Sequence, residues 1–309
     1  MARNIYTIGE ALFDIIFKNG QPQAGKAGGA MLNSSVSLGR IELPVHLISE
    51  YGDDDIGQLI DSFLRENGVS TLYSDHFTDG NTAIALAVLN EKNDASYTFY
   101  KKYPVKRLEM GFPLIHKDDI ILYGSIYAIT REIREKFVKF LKSSAGNKAI
   151  LMYDPNFRQA HESELDELKP FILENIKMAS IIRGSDEDFS NIFGAGSPDE
   201  AWEIISNFCD CMVFTASAEG VYVRTKGYKG KFPVRAIQPV STIGAGDNFN
   251  AGMIAAIHKY GIGRDQLAIM GEAEWVKVVS SGIDFASDVC MSYENYISKE
   301  FAGKVRQEI

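Results

Sequence analysis

Short apolar runs alternate with amphipathic stretches along most of the chain. The runs lie at residues 4–8, 45–49, 120–123, 149–153, 180–183 and 211–215. They are too apolar to be solvated on one side, so they predict strands buried on both faces. Between them, segments 31–40, 55–66, 131–143, 164–178 and 197–207 repeat apolar residues at helical spacing. This alternation predicts a mainly parallel sheet flanked by helices, an α/β fold. After Thr215 the rhythm changes, and VYVRTKGYKGKFPVRAI reads as a β-hairpin turning between Gly227 and Gly230. Two earlier segments also break the rhythm. One is 12–17, followed by Lys18-Asn19-Gly20. The other is TAIALAVLNEKNDASYTFYKK, residues 82–102, which predicts two strands about a turn at 90–94, with alternation in Tyr97, Phe99 and Lys101. Together they predict a small separate sheet. Above an active site it would act as a lid that excludes water; the plainer alternative is an edge hairpin.

The segment STIGAGDNFNAG, from Ser241 to Gly252, carries the most chemistry. Phe249, Met253, Ala256, Ile257 and Tyr260 recur at helical spacing, and Gly261 is a suitable stop. Gly244, Ala245 and Gly246 lead into that helix, where free N–H groups and the helix dipole suit an anion. Asp247 is expected at or near the N-cap. There it either caps the helix or accepts a proton from a hydroxyl. In AGGAMLNSSVSLGR, Gly28 and Gly29 permit close backbone approach just before a helix, and Asn33 falls on its first turns. Asp14 adds a carboxylate. Polyhydroxylated ligands need such acceptors. Read singly, the glycines also fit a plain strand-to-helix turn and Asp14 a solvated strand position. No G-x-x-x-x-G-K-[ST] pattern occurs, nor a glycine loop followed by V-A-I-K and H-R-D.

Composition narrows the partners. The 309 residues are 45% apolar, enough for a full core. The net charge of −9 argues against nucleic acid and anionic membrane surfaces, but not against ATP, which needs only a local cradle. The N-terminal stretch lacks a signal-peptide pattern, and no run of 18 apolar residues occurs. Three cysteines cannot form a disulfide framework. Cys209 and Cys211 read as a buried strand with both thiols on one face, since no second ligand pair stands nearby for a metal. A cytoplasmic location fits these features.

Further segments join the two glycine-rich ones in order. They are EYGDDDIGQ (50–58), MYDPNFR (152–158) and SDED (185–188). Together the five resemble the signatures of the ribokinase-like (PfkB) carbohydrate kinase family: the N-terminal glycine motif, G-x-D-x-x-G, D-x-N-x-R, N-x-x-E and D-T-x-G-A-G-D. The resemblance implies a central, mainly parallel sheet flanked by helices with a small β-lid, in one domain over 1–309. The lid would come from about 12–26 and 82–106. It implies ATP- and Mg²⁺-dependent phosphorylation of a primary hydroxyl on a small carbohydrate. Carried over by position, Asp247 is the base, and the backbone of Gly244, Ala245 and Gly246 is the anion hole. Asp14, Gly28, Gly29 and Asn33 hold sugar hydroxyls. Arg158 and Asn156 lie near the phosphates, and Asp188 meets the metal through water. Ser185, Thr215, Ser217 and Gly220 line the nucleotide. Lys101 stands near a position where relatives carry an arginine for acidic substrates; as an alternative it is a solvated lid charge.

The chain departs from the family pattern in places. Ser241 replaces the first Asp of the last signature, which argues against activation by a monovalent cation. Ser185 and Asp188 replace Asn and Glu. Ser217 stands where glycine is usual, and the tail FASDVCMSYENYISKEFA lacks a Gly-Ala element near the adenine. GEALFDIIF and the Ser of SDED lean toward fructokinase-like members, with fructose as first choice. A 2-keto-3-deoxygluconate kinase is the alternative enzyme, and an inactive sugar sensor the alternative of another class. A homodimer through the lid is expected. Lys226, Lys229, Lys231 and Arg235 are expected on a solvated face.

Overall fold

The computed structural model describes residues 3–90 and 95–308. Nine strands form the main sheet. Seven of them run parallel, in the order β11 (Cys211–Ala216), β10 (Ile181–Ser185), β9 (Ile150–Asp154), β8 (Ile120–Gly124), β1 (Ile5–Ile8), β4 (Val45–Gly52), β5 (Ser70–Phe77). The expected hairpin, β12 (Gly220–Thr225) and β13 (Lys229–Phe232), extends the β11 edge antiparallel.

Consecutive strand residues serve opposite cores, which explains the unbroken apolar runs. Ile120, Leu122, Ile150 and Met152 pack on one side. Ile121, Tyr123, Leu151 and Tyr153 pack on the other. The first side is covered by α1 (Ala30–Arg40), α2 (Asp55–Glu66), α7 (Ala245–Lys259), α8 (Glu272–Cys290) and α9 (Lys299–Glu308). The second is covered by α3 (Arg134–Gly146), α4 (Leu165–Met178), α5 (Asp186–Phe193) and α6 (Pro198–Ile205). The reading of the two cysteines needs correction. Cys211 belongs to the first core and Cys209 to the second. Cys209 precedes β11, so strand periodicity does not govern it, and its thiol donates to the Cys211 carbonyl.

The segments expected to form a lid make a separate four-stranded sheet, ordered β3 (Gln21–Gly28), β2 (Leu12–Lys18), β6 (Asn81–Leu89), β7 (Ala95–Lys102). Asn19 and Gly20, with φ of 53° and 72°, turn β2 into β3. Most of the turn expected at 90–94 lies outside the described residues. Register aligns Lys26, Asp14, Ala85 and Phe99 across the four strands, so these share one face of the lid. The C-terminal end of β1 leads to the lid through Glu10, and those of β9, β10 and β11 meet the start of α7 through Asp154, Arg183 and Thr215, at the end of the sheet where ligands usually bind in an open α/β fold.

Candidate active site

The site begins with how α7 starts. Gly244 is its N-cap, in the left-handed region at φ 79°. A Cβ there would stand 2.8 Å from the Asn295 carbonyl oxygen, so both the turn and the contact require glycine. Asp247 is therefore the third helical residue, in the first turn and near the N-cap as the sequence led one to expect. The Ala245 N–H turns back to the Thr242 carbonyl at 3.2 Å. The Gly246 and Asp247 N–H groups have no intrahelical acceptor, which leaves the helix start able to receive an anion.

Asp247 is buried, and its Oδ2 accepts from Asn33 Nδ2 at 2.8 Å. Burial pushes its carboxyl up to about 6, and the nearby Asp154 adds to the rise. The Asn33 hydrogen bond, Arg158 and Arg183 act in the opposite direction. The other face of Asn33, Oδ1, is buried and has no hydrogen-bond partner among the described residues. Ser34 on α1 donates to the Asp247 carbonyl at 2.8 Å. Asn248 Nδ2 donates to the carbonyls of Gly244 at 2.7 Å and Asn295 at 2.8 Å, and Ser37 donates to Asn248 Oδ1. Helix α1 and the 295 segment thus clamp the start of α7 from two sides.

The residues expected to hold a sugar follow the glycines. Gly29 caps α1 at φ 128°, with its missing Cβ position 2.1 Å from the Glu10 carbonyl oxygen. Gly28 leaves room for Asp14, whose Oδ2 would lie 2.3 Å from a Cβ there. Burial raises the Asp14 carboxyl to about 6, opposed by Lys26. Lys26 reaches across from the lid and donates to the Tyr293 carbonyl at 2.9 Å and Asn295 Oδ1 at 3.0 Å. Lys101 shares the Asp14 face of the lid, two residues beyond Phe99. It is ion-paired at 2.7 Å with Glu10, which also accepts from the Tyr103 hydroxyl at 2.5 Å.

On the opposite flank lies a network absent from the sequence reading. Arg183 Nη1 donates to Asp154 Oδ2 at 2.9 Å, and Nη2 to Thr215 Oγ1 at 2.7 Å. Its guanidinium lies directly against Gly246, 2.9 Å from where a Cβ would be. Asn250 on α7 donates to the same Asp154 oxygen at 2.6 Å. Asp154 stands in the DPNFR segment, which was a signal. Arg183 had none, because a lone cation in an apolar strand carries no pattern.

The remaining predicted residues occupy the ends of β9, β10 and β11. Ser185 N-caps α5 in a reciprocal capping box with Asp188. Asp188 Oδ2 accepts from the Ser185 N–H and hydroxyl, and Oδ1 from the Phe157 N–H at 2.7 Å. Three protein donors thus hold the Asp188 carboxylate. Asn156 is left-handed at φ 40°, and Arg158 is exposed. Ser217 is also left-handed at φ 41°, where glycine would be unstrained, and Gly220 follows at φ 116°. Ser241 accepts from the Ile243 N–H at 3.2 Å. Among the described residues, no three His, Cys, Asp or Glu side chains group to hold a metal. A divalent ion here fits as one carried on nucleotide phosphates, as Mg²⁺ usually is. Lys226, Lys229 and Arg235 make exposed ion pairs with Asp210, Asp199 and Asp284. Among the described residues, no helix is long and apolar enough to cross a membrane.

The whole chain resembles known kinases. A probable fructokinase-4 from Arabidopsis thaliana is 26% identical over 236 residues, 74% of this chain and 72% of that protein. The fold superposes on aminoimidazole riboside kinase from Salmonella enterica with a TM-score of 0.84, at 20% identity and 99% coverage of both chains. Fructokinase from Vibrio cholerae O395 superposes with a TM-score of 0.82 at 20% identity, over 95% of this chain and 94% of that one. Residues 2–287 match the pfkB family as a whole. With the glycine-capped α7 and its buried aspartate at one end of that match and the Gly28-Gly29 cradle at the other, the chain belongs to the pfkB family of carbohydrate kinases.

Proposed function

We propose that this protein transfers the terminal phosphoryl group of Mg-ATP to a primary hydroxyl of a small neutral carbohydrate, with fructose as the first choice. The observation that carries the reading is the buried Asp247 carboxylate within one turn of a glycine-formed anion site, aimed by Asn33. The sugar oxygen attacks the γ-phosphorus, and the bond to the β,γ-bridging oxygen breaks. ADP leaves, and the hydroxyl proton passes to Asp247. With its carboxyl at about 6, Asp247 is mostly ionised at neutral pH and still basic enough to take that proton. Asp14 and the Gly28-Gly29 backbone receive the other hydroxyls. The backbone of Gly246 and Asp247 faces the transferring charge, backed by Arg183. Arg158, Asn156, Ser185, Thr215, Ser217 and Gly220 border the nucleotide, and Asp188 reaches its metal through water.

The relatives named fructokinases support the choice of sugar, as does the Vibrio cholerae structure described with fructose and ADP bound. The exposed Phe99 and Tyr100 on edge strand β7 support pairing of two lids in a homodimer. The test is ADP release from Mg-ATP with fructose, glucose, ribose and 2-keto-3-deoxygluconate in parallel. Fructose-dependent release is expected to exceed the others. Saturable sugar binding with no ADP release from any of them would make the protein a sensor.

A further inference from the structure

The lid face aligned with Asp14 carries two ammonium groups, Lys26 and Lys101. Either would suit a carboxylate or phosphate on the sugar. Neither is offered to one. Lys26 is held by the Tyr293 carbonyl and Asn295 Oδ1. Lys101 lies over the Phe99 ring at 5.0 Å and is held between both oxygens of Glu10 at 2.7 Å. Glu10 comes from the main sheet, just after β1, and its carbonyl touches the Gly29 cradle. Its carboxylate therefore stands at the mouth of the carbohydrate site, and its partners Lys101 and Tyr103 come from the lid side. We infer that Glu10 sets the substrate class. By neutralising Lys101 it leaves the Asp14 face of the lid, among the described residues, without an unpaired cation and makes the site select uncharged sugars over sugar acids.

This inference rests on the proposed reading that the Asp14 face of the lid meets the sugar. Two six-carbon 2-keto compounds probe it: fructose, and 2-keto-3-deoxygluconate, which ends in a carboxylate. Calorimetric titration gives the ratio of their Kd values for each variant. Wild type is expected to favour fructose. Glu10→Gln should shift the ratio toward the acid by at least about tenfold, the worth of one charged hydrogen bond. Lys101→Met leaves Glu10 as an unpaired anion and should shift the ratio the other way. The double variant should return near the wild-type ratio. If Glu10 were merely a latch holding the lid down, Glu10→Gln would weaken both ligands together, and an unchanged ratio overturns the inference. ADP release is measured on the same wild-type sample. A wild type that binds fructose but releases no ADP overturns phosphoryl transfer and leaves the filter standing on the binding ratios. A wild type that binds neither compound overturns both.

Discussion

Asp247→Asn separates the chemistry of the site from its stability, because the two should move in opposite directions. Burial lifts the Asp247 carboxyl from an ordinary 3.8 to about 6. An ionised group whose pKa rises on folding is a liability to the fold. The favourable contribution of its protonated form is full below about pH 4 and disappears as pH rises through 6. At neutral pH the ionised form therefore destabilises the native state by ~3 kcal/mol. The substitution removes the charge, nearly preserves the shape and keeps an acceptor for the Asn33 amide. Thermal melts should show the variant more stable at pH 7.5 by up to ~3 kcal/mol, a Tm rise of about 5 °C. The gap should shrink to about 1 kcal/mol at pH 4.5, where the folded-state carboxyl is almost fully protonated and only the cost of taking up that proton remains. Turnover should fall by about 10²–10⁴-fold, the usual worth of a general base. In wild type, kcat/KM should decline below about pH 6 as Asp247 takes up its proton. A variant that keeps most of its activity refutes the base assignment. A stability gap that is equal at both pH values refutes the electrostatic account.

Other perturbations test the supporting structure. Arg183→Met leaves buried Asp154 without its cation and should destabilise the fold by about 3–5 kcal/mol in urea melts; the added change Asp154→Asn should recover part of the loss, and no recovery would show that the two groups are not coupled. Ser217→Gly relieves a left-handed serine and should raise stability by about 0.5–1 kcal/mol, the strain released less the extra freedom of glycine in the unfolded chain; a loss of stability would show that the loop is not strained. With Ser241 in place of a carboxylate and engaged with the Ile243 N–H, turnover should be equal in potassium, sodium and tetramethylammonium chloride at one ionic strength; strong activation by potassium alone would contradict this.

The sequence alone determined what depends on short spacing. Period-two burial on both faces marked most of the parallel strands, and the Asn19-Gly20 turn marked the first lid hairpin. The small residues before Asp247 and before Asn33 marked two helix starts, since helix caps are set within about four residues. Strand β5, whose burial is mixed, and helix α5, only eight residues long, gave no such signal. Helix α8 buries Trp275, Val278, Val279, Ile283 and Phe285 against a neighbouring helix, and that partner appears only in the fold. The electrostatics of the site belonged entirely to tertiary structure. Glu10 and Lys101 are 91 residues apart, Lys26 and Asn295 are 269 apart, and Arg183 and Asp154 are 29 apart on neighbouring strands. No local pattern says which charge will meet which. The sequence supplied a candidate base, a candidate anion cradle and the strands of the small sheet; the order in which the strand ends abut decided which charges meet, because a charge pair forms only where the chain brings both partners to one place.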